Sequence, residues 1–586
     1  MKILLLTHAF NGLAQRLHVE LGALGHEVSV ELDIADGVSL EAVELFKPDL
    51  VVAPFLKRRL PEAIWSRLVC LVVHPGPPGD RGPSALDWAL LDGAGAWGVT
   101  VLQAAAEYDA GTVWAWRGFR MRPAATKASI YRREVTDGAV AAVIEAIERF
   151  GRSPPGSMAA QRALQDPPPL PARLGDWRPL VTKAQRAVDW AGCASAELLR
   201  RVRSADGSPG VVAMVCGQPC RLHDAHEASP TVLAWVAAQA AAAAPGTPIA
   251  RRGPALLLRT LDGAAWIGQL RREGEAALKL PATRALAAEA AALPELAVPL
   301  ERADDEWDEL RYRECGPDDA RVGWLEFDFH NGALSVRQAR RLVAALREVR
   351  GRATRVLVLA GGAEFFSNGI HLHEIEAAAF DAGDSAADAS WRHINAIDDV
   401  ALEILQTTDR ITVAALRGNA GAGGCFLALA ADQVWAHRGV VMNPHYKNMG
   451  NLYGSEYWTY LLPRRVGREA AQALMQQRLP LGAVAAQRSG VIDAVLADDA
   501  AALEPRAIAR ALELAADPAW PAAVAAKAAR RAADEAAKPL AAYRAEELER
   551  MQRNFYGFDP SYHVARHHFV HRKPHAWTPR HLARHR

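Results

Sequence analysis

Two stretches of this chain carry residue types that could move protons or hold a developing negative charge. The first is the loop His74-Pro75-Gly76-Pro77-Pro78-Gly79-Asp80-Arg81-Gly82-Pro83, which follows the apolar run Val69 to Val73. Ligands of open α/β sheets bind beyond the carboxyl ends of strands, so a histidine held there by prolines and glycines is placed for proton transfer. A later run, Val99 to Gln103, leads to Glu107-Tyr108-Asp109-Ala110-Gly111. Its carboxylate could converge on His74 and hold the imidazole. Taken singly, His74 and Asp109 also fit ordinary turns.

The second stretch starts with the apolar run Val356 to Ala360, followed by Phe365-Phe366-Ser367-Asn368-Gly369-Ile370-His371-Leu372, which reads as a turn into a helix. Another strand, Ile411 to Leu416, precedes Arg417-Gly418-Asn419-Ala420-Gly421-Ala422-Gly423-Gly424-Cys425. Each glycine turn exposes backbone N–H groups at a helix start, and two such turns together make an oxyanion hole. Asn443-Pro444-His445-Tyr446-Lys447-Asn448 and Gly454-Ser455-Glu456-Tyr457-Trp458 then offer Tyr446 and Glu456 as a pair that could move a proton. The alternative is that Glu456 caps a helix and Tyr446 packs with its hydroxyl satisfied.

These residues need a scaffold, and the hydrophobic pattern describes one. Residues 1–151 alternate short β-rich runs with helix-like stretches such as Leu13 to Leu24, as in a parallel sheet wound on both faces. Strand one is followed by Thr7-His8-Ala9-Phe10-Asn11-Gly12 and not by the GxGxxG turn of a dinucleotide fold, so a nicotinamide cofactor is not expected. Residues 152–177 are proline-rich and read as a linker, and 178–290 as a small β-rich domain. A second linker, 291–320, carries Asp304-Asp305-Glu306. A third α/β domain occupies 321–545, with the helix Val336 to Glu348 between two strands, and a tail covers 546–586.

Composition bounds the function. The chain has 586 residues with 68 Lys+Arg against 67 Asp+Glu, so it has several domains and no general attraction to nucleic acid or anionic lipid. The apolar start, Met1 to Leu6, runs straight into Thr7 and His8 and reads as a buried strand rather than a secretory signal. Thr231 to Ala244, between Pro230 and Pro245, is too short to cross a bilayer. Six cysteines suit a reduced compartment, and the expected location is cytoplasmic. Cys216 and Cys220 have no second pair nearby and read as small hydrophobes, not a metal site. The tail holds His563, His567, His568, His571, His575, His581 and His585; mixed with Arg and Pro, they read as a packed or partner-binding segment without metal.

The pair HPGPPGDRGP and LQAAAEYDAG resembles the folate-dependent formyltransferases, with His74, Arg81-Gly82, Gln103 and Asp109 matching in order and spacing. Arg178-Pro179-Leu180, Val188-Asp189-Trp190 and Ser208-Pro209-Gly210 are similar to that family's barrel-like C-terminal domain. The resemblance implies a doubly wound sheet, a barrel-like domain, N10-formyltetrahydrofolate as substrate, and Arg81 and Gly82 in its site. Where the family has an asparagine two residues before the histidine, this chain has Val72, which cannot donate a hydrogen bond to an oxyanion. Either Asn11, at the tip of strand one, replaces it, or the transfer proceeds differently.

The two glycine turns, Ala430-Ala431-Asp432 and Gly490-Val491-Ile492-Asp493 resemble the crotonase, or enoyl-CoA hydratase and isomerase, superfamily. By position the oxyanion donors are the N–H groups of Ile370 and Gly423, with Gly369 beside them and coenzyme A as the carrier. A hydratase has a glutamate directly after the cysteine and another about twenty residues on; here stand Phe426 and a position at or beside Tyr446, so water addition is not expected. NPHYKNMGNLYGSEYWTYLLPRRVG and HPGPPGDRGPSALDWAL together look like the HoxX-type [NiFe]-hydrogenase maturation proteins. That likeness implies formyl transfer from N10-formyltetrahydrofolate to coenzyme A, then loss of CO from formyl-CoA for the iron of a [NiFe] hydrogenase, with a tunnel joining the halves. An amine formyltransferase with a regulatory crotonase-like domain, and a noncatalytic scaffold, remain open alternatives.

Overall fold

Ile3, Leu4, Leu5 and Leu6 are all buried, which only a strand covered on both faces permits. In the computed structural model, which describes residues 1–152, 167–274, 277–302 and 306–586, that strand is β1 (Lys2–Thr7), an interior strand of the first sheet. Most of the proline-rich linker, and Asp304 and Asp305, lie outside the described residues. The chain divides into two units, Met1–Glu295 with Pro574–Arg586, and Leu296–Lys573.

In the first unit, β2 (Glu27–Leu32), β1, β3 (Leu50–Ala53) and β4 (Cys70–His74) run parallel. The parallel sheet expected from the sequence continues beyond that point with antiparallel strands. β5 (Ala96–Gln103) lies antiparallel to β4, and β6 (Val113–Arg120) antiparallel to β5. A connection as short as the one between β5 and β6 can reverse the chain but cannot carry a crossover. The reversal sets Thr100 opposite His74.

The β-rich domain is an antiparallel sheet of β7 (Val211–Val215), β8 (Gln218–Glu227), β9 (Pro248–Arg252), β10 (Ala255–Arg259), β11 (Ala264–Arg272) and β12 (Lys279–Pro281), ordered β7-β8-β11-β10-β9 with β12 on β11. Only one of the two cysteines expected as hydrophobes is buried: Cys220 lies in β8, whereas Cys216 is exposed in the turn before it. The apolar stretch after Pro230 is the helix Pro230–Gln239, and no described helix is long and apolar enough to cross a membrane.

Residues 574–586 cover the edge of the first sheet. Val30 N–H donates to the Leu582 carbonyl at 3.0 Å and Leu32 N–H to Thr578 Oγ1 at 2.9 Å. Glu31, fully buried on that strand, meets His585 and Arg586 at 2.9 Å each. An exposed edge strand is thereby closed. The stretch read as one tail is thus shared: helices Leu540–Tyr556 and Ser561–Val570 belong to the second unit, the last residues to the first.

The second unit is built on a sheet ordered β13 (Leu310–Cys315), β14 (Val322–Phe327), β16 (Val356–Gly361), β19 (Ile411–Leu416), β21 (Gln433–His437), β24 (Ala494–Ala497), parallel except for β13. β15 (Ala333–Leu334) pairs with β18 (Gly369–Ile370), and a small sheet joins β17 (Phe365–Ser367), β20 (Asn419–Gly421), β22 (Val441–Asn443) and β23 (Leu481–Gly482). The segment expected to turn directly into a helix therefore first contributes two short strands, β17 and β18. The helix Leu372–Ala378 follows, capped by His371 Nδ1, which accepts the Glu374 N–H at 3.2 Å.

Candidate active sites

In the first unit, His74 ends β4 and is buried. Its Nε2 lies 2.8 Å from Asp80 Oδ2 and its Nδ1 3.5 Å from Asp109 Oδ1. Two carboxylates thus flank one imidazole, one on each nitrogen. Asp109 sits in left-handed backbone at φ 54° and accepts the Gly82 N–H on Oδ2 at 3.2 Å, so it ties the two loops together. Asp80 is buried and was not singled out in the sequence; as one polar residue of a turn it carries no pattern of its own.

The loop is clamped from both sides. Thr100 Oγ1 donates to the Gly76 carbonyl at 2.8 Å and Trp97 Nε1 to the Pro75 carbonyl at 2.9 Å. On the other side, Gly175 N–H donates to the Pro78 carbonyl at 2.8 Å and Arg178 N–H to the Arg81 carbonyl at 2.9 Å. Gly82, at φ 118°, permits this approach: a β-carbon there would fall 2.1 Å from the Arg178 carbonyl oxygen. Arg81 makes a solvent-exposed ion pair with Glu107 at 2.8 Å, and Gln103 Oε1 accepts from Trp114 Nε1 at 3.2 Å.

Asn11 is the N-cap of the helix Gly12–Ala23. Its Oδ1 accepts the Ala14 N–H at 3.0 Å and its Nδ2 is 3.4 Å from the Tyr131 hydroxyl, at the start of a π-helical turn, Tyr131–Val135. Cap residues of this type satisfy an N–H the helix leaves unpaired, which gives Asn11 a structural duty beside any role toward substrate. Val72 lies within β4, paired with Ala53 and Leu102.

In the second unit the two glycine turns meet. A β-carbon on Gly369, which sits at φ 80°, would lie 3.4 Å from Gly423 N. Gly423 opens the helix Gly423–Leu429, so its N–H has no acceptor within that helix, and Ala422 before it is held at φ 46°. Ile370 ends β18, facing Leu334 of β15. Both N–H groups named by position therefore sit at one junction of strand and helix.

The Glu456 carboxyl lies against the same turn: a β-carbon on Gly423 would come 2.2 Å from its Oε1. The Tyr446 hydroxyl donates to Glu456 Oε2 and also approaches the Ser455 carbonyl at 3.1 Å. Phe426 stacks on Tyr446, centroids 5.5 Å apart and planes 12° from parallel. Glu456 does not cap the helix Trp458–Val466 with its side chain. It and Tyr457 instead occupy left-handed backbone at φ 58° and 60°. That backbone is held by two further buried acids. Asp398 accepts the Glu456 N–H at 2.8 Å and the Ser455 hydroxyl; Glu547 accepts the Tyr457 N–H at 2.9 Å and the Thr459 N–H at 2.8 Å.

Three carboxyls are thus packed together where water is excluded, with the Arg544 Nε 3.7 Å from Asp398. Burial, together with the charge of Asp398, pushes the Glu456 carboxyl above its usual range. Burial does the same to Asp398 and Glu547. The Tyr446 hydroxyl is raised by burial and then by Glu456. A buried carboxyl with a raised pKa, beside a phenol and paired backbone donors, is suited to hold or accept a proton at neutral pH. Asp398 and Glu547 were not singled out in the sequence because they lie on the distant helices Ala386–Leu405 and Leu540–Tyr556.

Comparison with known proteins gives three family matches along the chain. Residues 35–147 match the formyl transferase family, 180–284 the formyl transferase C-terminal domain, and 326–580 the enoyl-CoA hydratase/isomerase family. The chain is 52% identical over its whole length to the hydrogenase maturation factor HoxX of Bradyrhizobium diazoefficiens, covering 97% of that protein. It also superposes on the crystal structure of HypX from Aquifex aeolicus in complex with tetrahydrofolic acid, with TM-score 0.91 and 43% identity, covering 100% of this chain and 99% of that one. Methionyl-tRNA formyltransferase of Burkholderia vietnamiensis is 28% identical over 42% of this chain and 71% of its own length.

Proposed function

The chain belongs to the family of hydrogenase maturation factors HoxX and HypX, with formyltransferase parts followed by a crotonase-like part, and from that premise we propose that it produces carbon monoxide for a [NiFe] hydrogenase. The first unit transfers the formyl group of N10-formyltetrahydrofolate to coenzyme A, and the second splits formyl-CoA into CO and coenzyme A. The reaction takes place in the cytoplasm.

In the first step His74 takes the proton of the attacking thiol and returns it to the departing folate nitrogen. Asp80, 2.8 Å from Nε2, orients the imidazole and stabilises its charged form, while Nδ1, whose contact with Asp109 is a looser 3.5 Å, is the nitrogen that exchanges the proton. Arg81 and Gly82 line the donor, and Asn11 supplies the hydrogen bond to the developing oxyanion that Val72 cannot. The Asn11 Nδ2 group, 3.4 Å from the Tyr131 hydroxyl, is weakly held and can turn toward substrate.

In the second step the Ile370 and Gly423 N–H groups bind the thioester oxygen, with Gly369 leaving them room. Glu456, in its ionised form, removes the proton of the formyl carbon as the carbon–sulfur bond breaks, Tyr446 passes its hydroxyl proton to the thiolate, and the proton held by Glu456 crosses their hydrogen bond to restore the Tyr446 hydroxyl. The formyl carbon leaves as CO with its oxygen, and the sulfur leaves as a thiol, so the atoms balance. Phe426, fully buried against Tyr446, occupies the place of a hydratase glutamate and excludes the water that would hydrolyse the thioester.

The observation that carries this reading is the Glu456–Tyr446 pair set against Gly423 where a hydratase would hold water between two carboxylates. Purified protein incubated with formyltetrahydrofolate and coenzyme A, with reduced haem as a CO trap, tests it. CO is expected only with both substrates. CO without coenzyme A, or none in any condition, overturns it.

A further inference from the structure

The histidine-rich C-terminal region contains one arrangement that its sequence reading as a packed segment did not anticipate. His567 and His571 lie one turn apart at the end of the helix Ser561–Val570, with ring centroids 4.2 Å apart. Both address a single oxygen of Glu376, which lies on the helix Leu372–Ala378: His567 Nδ1 at 2.9 Å and His571 Nε2 at 3.0 Å from Oε1. The other oxygen, Oε2, accepts from Arg566 Nε at 2.8 Å. The carboxylate is buried, while His567 is exposed and His571 half-exposed.

We propose that Glu376, His567 and His571 form a binding site for a zinc-class divalent cation that staples the C-terminal helix to the helix following the oxyanion strand. The three ligand atoms lie within 4.8 Å of one another, and two imidazole nitrogens with one carboxylate oxygen are a donor set that such ions take. Without an ion, both ring N–H groups must crowd onto one oxygen. With one, those protons leave, each imidazole turns a lone pair inward, and water completes the coordination. Arg566 fixes the carboxylate from behind, as an outer-shell partner does, and its positive charge tempers the affinity. Because Glu376 stands in the helix that begins just after Ile370, an ion there would fix the segment carrying an oxyanion donor.

The test is zinc titration of the full chain against a chromophoric chelator, with wild type, His567→Ala, His571→Ala and His568→Ala compared. His568 is an exposed neighbour on the same helix. One equivalent is expected to bind to wild type and to His568→Ala. It should weaken by more than about tenfold in each of the other two variants, and zinc should raise the wild-type melting temperature but not that of His571→Ala. Absence of stoichiometric binding, unchanged affinity in His571→Ala, or equal loss in His568→Ala, the mark of a diffuse histidine surface, overturns the site.

Discussion

Glu456 lies so close to Gly423 that the glycine has no room for a side chain: a β-carbon would approach Oε1 to 2.2 Å. The acid and the backbone donor therefore share one small space. Gly423→Ala should push the carboxyl away or twist the turn, misplacing both groups. Loss of one oxyanion donor costs about 3 to 4 kcal/mol, so CO release from supplied formyl-CoA should fall by ~10²–10³-fold. Formyl transfer to coenzyme A, measured as tetrahydrofolate formed, should continue. Loss of both activities together would contradict separate sites.

Glu456→Gln keeps the shape and removes the acid. CO release should drop by ~10²–10⁴-fold, the usual worth of a positioned proton carrier, and Tyr446→Phe should drop with it. The same substitution has a pH signature. Because the folded-state pKa of Glu456 is raised, its burial is harmless below the unfolded carboxyl value of about 4.3. Its contribution to stability is then lost as pH rises through the folded value. The variant should therefore gain melting temperature relative to wild type as pH rises from about 5 to 9, and little at low pH. An opposite slope in paired melting curves would show that burial does not raise the Glu456 carboxyl.

How much of this the sequence carried differs between the two sites. Gly369, Ile370, Gly423 and Glu456 stand in short local patterns whose geometry follows from strand, turn and glycine, so they could be read in order. Asp398 and Glu547 are acids on long helices, and nothing local marks them as partners of the Glu456 and Tyr457 backbone. Likewise β5 gives the same hydrophobic run whether parallel or antiparallel, so its reversal, which brings Thr100 opposite His74, was not legible. The docking of the last residues on the first sheet rests on Glu31, the buried acid of β2, and on the backbone of Val30 and Leu32 beside it. Buried polar partnerships between distant segments leave no periodicity to read.

Asp80→Asn separates orientation from chemistry in the first unit. The amide can still face His74 Nε2 but cannot offset the charge the ring gains. Formyl transfer should fall by ~10²-fold or more, mostly in kcat, while CO release from supplied formyl-CoA stays at the wild-type rate. Asp109→Ala should lower transfer as well and raise KM for the folate, because it also releases the Gly82 N–H that sets the loop. Equal losses of both half-reactions, measured side by side, would argue for general unfolding instead.

Removal of residues 574–586 should expose the edge of β2 and leave Glu31 without His585, Arg586 and Thr578. Each charge-assisted hydrogen bond lost is worth about 1.5 to 3 kcal/mol, and the water that reaches Glu31 at the opened edge offsets part of that loss. Burial alone would raise the Glu31 carboxyl, but these partners bring it below its ordinary value. Its stabilisation is thus present above about pH 4.3, the unfolded value, and lost as pH falls through the folded one. Glu31→Gln in the full-length chain should accordingly melt lower than wild type at pH 7 and approach it near pH 3, and the truncated chain should melt lower still at neutrality. A wild-type melting temperature for the truncated chain at pH 7 would show that the C-terminal strap contributes nothing to the first unit.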